Sequence, residues 1–186
     1  MRAAWFAFKY RLPAGGELFS VFGLIVFISF TWSLVNAFWR LSSWLMFMTL
    51  GEVASVFAYV LMNCLLESAL ALAFVTALAL ILPRAALRER FVARGGAFVF
   101  FASLWAALLD FILAWNTLGR AQLLGIAVLF AASAFLLLYF LRRVPALERG
   151  MEKFCEQVGV FIYVYVPLGT LGLAVVIVRN IFGGTV

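Results

Sequence analysis

The chain has 186 residues, 67% of them hydrophobic and only 12% charged, with a mean hydropathy of +1.15. That composition excludes an ordinary soluble domain and describes a polytopic membrane protein. The formal charge of +6 is not a nucleic-acid signal, because the basic residues cluster beside apolar segments, where they set orientation and meet anionic lipid headgroups.

Residues 1–14 mix Arg2, Lys9 and Arg11 with Trp5, Phe6, Phe8 and Tyr10, which reads as an interfacial segment. A first crossing follows over 18–39. A basic start before an apolar run also describes a signal peptide, with Val35-x-Ala37 as its cleavage site. The run is too long for a typical hydrophobic core of such a peptide, so it is expected to be retained. The apolar runs here extend for about twenty residues, which favours helices over the ten-residue alternation of membrane strands.

The next stretch, 41–83, is almost unbroken apolar sequence. As one helix it reaches about 63 Å, twice a hydrocarbon core of about 30 Å. Two crossings require a turn near Asn63 to Ser68, where neither Gly nor Pro occurs. One crossing requires 41–51 to lie in the outer interface, with a long, tilted second crossing over 52–82. Beyond it lies a basic loop holding Arg84, Arg88, Arg90 and Arg94, then a third crossing over 97–118. Gly119-Arg120 turns into a fourth over 121–141.

The one extended polar stretch follows. Within it Leu147, Met151, Phe154 and Val158 recur at helical spacing opposite Glu148, Arg149, Glu152 and Lys153, and Pro145 suits a first turn. This predicts an amphipathic surface helix over 146–157, with Glu148 and Lys153 in water. The last crossing spans 158–181, where Pro167 is expected to produce a kink and Gly169 and Gly172 to loosen the helix.

Charge decides the count. With one crossing in 41–83, one side carries Arg2, Lys9, Arg11, Arg84, Arg88, Arg90, Arg94, Arg142, Arg143, Arg149 and Lys153. The other carries only Arg40, Arg120 and Arg179. A second crossing would erase this bias. The expected fold is therefore an all-α integral membrane bundle of five transmembrane helices with interfacial amphipathic segments. Its N-terminus is cytoplasmic and its C-terminus external, in a bacterial cytoplasmic membrane.

Few residues invite chemistry. The chain contains no histidine, which removes the commonest haem, zinc or copper ligand and the commonest neutral-pH acid–base catalyst, so no cofactor or metal is expected. Cys64 and Cys155 are too few for a disulfide framework and read as buried packing residues. No Walker loop, GxSxG elbow, HExxH or inverted repeat is found. Glu67 and Asp110 stand out, because a carboxylate near mid-membrane is normally paired, protonated or functional. Glu67 lies in a row with Ser55, Tyr59, Asn63 and Ala71, and Asp110 in a stripe with Ser103, Ala107 and Ala114. Both rows read as helix-packing faces, as do Ala69, Ala73 and Ala77, and Ala127, Ala131 and Ala134. Glu67, Asp110 and Asn63 are the candidate intramembrane contacts.

The expectation is a non-catalytic subunit, a scaffold or accessory component among other membrane protein subunits and lipids. One alternative is a small transporter or channel component using the two acids. Another is the membrane module of an extracytoplasmic lipid- or glycan-modifying enzyme. In architecture alone, five crossings with an external C-terminus are similar to the membrane domains of lipoteichoic acid synthases.

Overall fold

The computed structural model describes residues 13–82, 87, 89–115 and 119–182. The aromatic and basic segment expected before Pro13, and Arg84 and Arg88 of the basic loop, lie outside these residues. Among the described residues the fold is all-α, 94% of them helical. It comprises α1 (Gly15–Phe47), α2 (Leu50–Ile81), α3 (Phe91–Trp115), α4 (Arg120–Arg143), α5 (Pro145–Val158) and α6 (Ile162–Phe182), the last two joined by a 3-10 turn, Gly159–Phe161. In lipid every backbone N–H and C=O must be satisfied within the segment, and continuous helices do this. Five of the helical stretches are long and apolar enough to cross a membrane, so the protein is a multi-pass integral membrane protein.

Three helices begin with the same device. The side chain of the third helical residue reaches back to the backbone N–H just before the helix: Glu17 to Ala14 (3.0 Å), Glu52 to Thr49 (2.8 Å) and Gln122 to Gly119 (2.9 Å). At α2 the box is reciprocal, since the Thr49 hydroxyl accepts from the Glu52 N–H at 3.4 Å. Each occupies donors that a helix N-terminus otherwise leaves unsatisfied.

One difference from expectation concerns the end of the first helix. Residues 41–47 are not a separate interfacial segment but continue α1 to Phe47; no Gly or Pro interrupts them, so the helical ladder runs on until the Thr49–Glu52 box starts the next helix. Leu50–Ile81 is one unbroken helix of 32 residues, as a single long second crossing requires, with no turn near Asn63 to Ser68; the turn lies at 48–49, where α1 gives way to α2.

The chain forms two compact units. In the unit of residues 22–74 and 158–186, Val26, Phe30 and Cys64 form a buried cluster, with Leu61, Leu65 and Tyr165 against it. Phe30 and Tyr165 stack at 5.1 Å. Close helix approach here depends on glycine. A Cβ on Gly172 would stand 2.7 Å from the Ala58 carbonyl oxygen, and one on Gly23 would stand 2.7 Å from the Gly159 Cα. Gly169 and Gly172 thus seat α6 on α2, a packing role in place of the expected loosening. Pro167 is accommodated inside α6.

In the unit of residues 1–21 and 75–157, the core gathers at the start of α3, where Leu87, Phe91, Ala93, Ala97 and Val99 are buried. Phe130 of α4 meets Phe98, Phe101 and Trp105 of α3. The amphipathic α5 forms as expected, and Phe154 meets Phe100 edge-on at 6.3 Å. Its rotation differs, however. Glu148, Cys155 and Val158 form the buried face, while Lys153 is exposed. Glu148 is 5% exposed, not in water. Its two oxygens meet Arg94 Nε at 2.9 Å and Arg90 Nη1 at 3.1 Å. Those guanidiniums draw the acid inward, and the helix turns by about one residue to deliver it.

Candidate functional site

The three residues singled out in the sequence separate. Asn63 and Glu67 lie in the unit of residues 22–74 and 158–186, while Asp110 lies in the other. All three are exposed, and no hydrogen bond or ion pair joins any of them to another described residue. They are therefore not buried in packing faces of the chain itself. The face of α2 that is buried carries Cys64, Ser68, Val75 and Ala79, next to the Asn63–Glu67 row on the helix. Ser68 donates to the Cys64 carbonyl at 2.6 Å, and the Cys64 thiol lies 3.9 Å from the Ser29 carbonyl.

Asn63 and Glu67 instead line an open-sided groove of about 360 Å³ between α1 and α2. The helix repeat explains its shape. Ser33, Asn36, Arg40 and Trp44 recur along one stripe of α1, and Val56, Val60, Asn63 and Glu67 along one stripe of α2. Because α1 and α2 form an antiparallel pair, the two stripes face across a common trough. Asn36 directs its amide to the Trp32 carbonyl at 2.9 Å, leaving its side-chain oxygen toward other donors. Trp44 is braced edge-on against Phe57 at 6.2 Å.

Arg40 is the residue that sequence reasoning missed. Placing it at the end of a crossing over 18–39 made it an interfacial charge, whereas the continuation of α1 to Phe47 sets it two turns inside the helix. The groove therefore joins a guanidinium, a carboxylate, two amides and a hydroxyl, with an indole toward each end. Among the described residues no group of three His, Cys, Asp or Glu side chains is placed to hold a metal. Chemically the groove can bind: it offers both signs of charge and several hydrogen-bonding groups against an apolar surround. It brings together no nucleophile and base in hydrogen-bonding contact.

A second cleft, of about 290 Å³, lies where α5 meets α3 and α4, walled by Phe100, Leu104, Phe140, Leu147 and Met151. As expected from the sequence, Leu147 and Met151 thus face neighbouring helices. Comparison with protein families, with curated proteins and with solved structures finds no match to this chain.

Proposed function

We propose that this protein is a non-catalytic integral membrane subunit, a scaffold or accessory component of a larger complex in a bacterial cytoplasmic membrane. The observation that carries the reading is Asp110, an exposed acid within the apolar helix α3 whose carboxylate makes no hydrogen bond or ion pair with a described residue of its own chain. A carboxylate within a membrane span is costly unless another group meets it. A cationic or hydrogen-bonding side chain of a partner helix supplies that group. The small-residue face Ala69, Ala73 and Ala77 supports the reading, because it is exposed on α2 and small residues allow a further helix to approach closely.

The test is extraction in mild detergent, followed by mass spectrometry of stoichiometrically co-purifying chains. A defined partner that is retained by the native chain and shed by Asp110→Asn is the expected result. Neutralising one member of a buried ion pair strands the other, at a cost of roughly 3–5 kcal/mol. A chain that purifies alone as a homo-oligomer, with Asp110→Asn unchanged, would overturn the reading.

The second reading, a small transporter or channel component, draws on the groove, since Glu67, Asn63 and Arg40 line one trough along a membrane-spanning helix pair. Flux in liposomes that Glu67→Gln abolishes without loss of assembly would favour it.

A further inference from the structure

We infer that the α1–α2 groove is a binding site for a zwitterion, with an anionic phosphate or carboxylate held at Arg40 and a primary ammonium held at Glu67. The inference does not depend on a partner subunit. It begins from the placement of the two charges. Arg40 and Glu67 line the same groove yet are not paired with each other. Cys64 opposes Ser29 across the helix pair, so Glu67 sits far down the hairpin and Arg40 nearer the turn at 48–49. At 1.5 Å per residue their backbones are offset by about 15–20 Å along the helices. Side chains lean toward the N-terminus of their own helix. In an antiparallel pair this sends Arg40 away from the turn and Glu67 toward it, so the two charged heads converge within the trough.

Each end is dressed for its own sign of charge. At the deep end Glu67 is accompanied by Asn63, Ser33 and Trp32. A carboxylate with oxygen acceptors and an indole face is a recognition set for an ammonium. At the shallow end Arg40 has Trp44 one turn beyond it, and a guanidinium binds phosphate or carboxylate through paired N–H donors. A purely anionic ligand would leave Glu67 without a partner in an apolar surround, and a purely cationic one would leave Arg40 so. Only a ligand carrying both signs neutralises both ends, and the groove volume of about 360 Å³ lies within the range of small-ligand sites. Two sources present this chemistry: an aminoalkyl phosphate headgroup on a membrane lipid, entering through the open side of the groove, and a soluble amino acid or aminoalkyl phosphate.

The test uses the purified full-length chain in detergent, exposed to equal amounts of phosphatidylethanolamine and phosphatidylglycerol, with bound lipid counted by native mass spectrometry. Phosphatidylethanolamine should be retained over phosphatidylglycerol by about tenfold, the scale of one charge-assisted hydrogen bond. Glu67→Gln should abolish or invert that preference while Arg40 still holds phosphate, and Arg40→Gln should lower retention of both lipids. A change of preference is read within one preparation, so it separates lost recognition from lost folding. Glu67→Asp, which keeps the charge, should keep the preference. A parallel arm adds excess soluble phosphoethanolamine. Its retention in place of lipid, with the same response to both variants, supports the zwitterion site and assigns the soluble source. Equal retention of both lipids together with no bound phosphoethanolamine, or a preference that neither variant alters, would overturn the inference.

Discussion

At the scale of single residues, the most buried ion pair among the described residues is that of Glu148 with Arg94, both side chains under 10% exposed. Breaking a buried pair by removing one member leaves an uncompensated charge, and roughly 3–5 kcal/mol is the usual cost. Glu148→Ala should therefore lower the melting temperature in detergent sharply. The double variant Glu148→Leu with Arg94→Met should recover most of the loss, because no buried charge is left stranded and the former partners Arg90 and Glu89 are exposed to water. Arg90, 46% exposed, contributes less through solvent screening, and Arg90→Gln should have a small effect. If Glu148→Ala melts with the native protein, the pair holds nothing. The sequence concealed this contact because hydrophobic periodicity ranked Leu147, Met151 and Phe154 as the inner face and set Glu148 opposite them. Its buried partner Arg94 lies 54 residues away on another element, and only the abundance of arginine on the same expected side hinted at what one acid there would meet. Cys155, by contrast, was readable as a packing residue. It is fully buried in the surface helix α5, where burial pushes its thiol up to about 11.

At the scale of elements, helix existence was legible and helix ends were less so. Twenty-residue apolar runs leave no doubt about a membrane helix, since lipid offers the backbone no other partner. The point where α1 gives way to α2 was also written in the chain, as Thr49-Leu-Gly-Glu52. The reciprocal bonding of Thr49 and Glu52 is what that spacing specifies, but a charge-based argument passed over it. The role of Gly172 could not be read from one helix alone, because a close approach is a property of two. With the Ala58 carbonyl 2.7 Å from the position of a Cβ, Gly172→Val should force α6 away from α2 at roughly 1–3 kcal/mol, the usual cost of overpacking. Gly125→Val on α4, where nothing lies within 4 Å, is the matched control and should melt nearly as the native chain does. Equal melting of the two variants would show that the α2–α6 contact does not bear on stability.

At the scale of the whole molecule, the number of long apolar helices and their connection follow from composition and charge together. The groove did not, because its stripes come from two helices whose register depends on where α1 ends, and a crossing drawn to stop at 39 leaves Arg40 outside. Orientation rests on the basic residues. With α2 a single helix of 32 residues, the segments containing Arg90 and Arg94 and those containing Arg142, Arg143, Arg149 and Lys153 fall on one side. The contact of Arg94 with Glu148 brings the two segments together within one unit. Under the positive-inside rule that side is expected to be the cytoplasmic one. Both native cysteines are buried, so single cysteines introduced at exposed sites can be read against a quiet background. Lys153→Cys, on the exposed side of α5, should resist a membrane-impermeant maleimide in intact cells and react once the membrane is opened. Thr49→Cys, at the exposed turn between α1 and α2, should react in intact cells. The reverse pattern would invert the molecule. Labelling of both positions from outside would place the Thr49 turn and α5 on one side of the membrane, and the odd number of crossings between them would then be wrong.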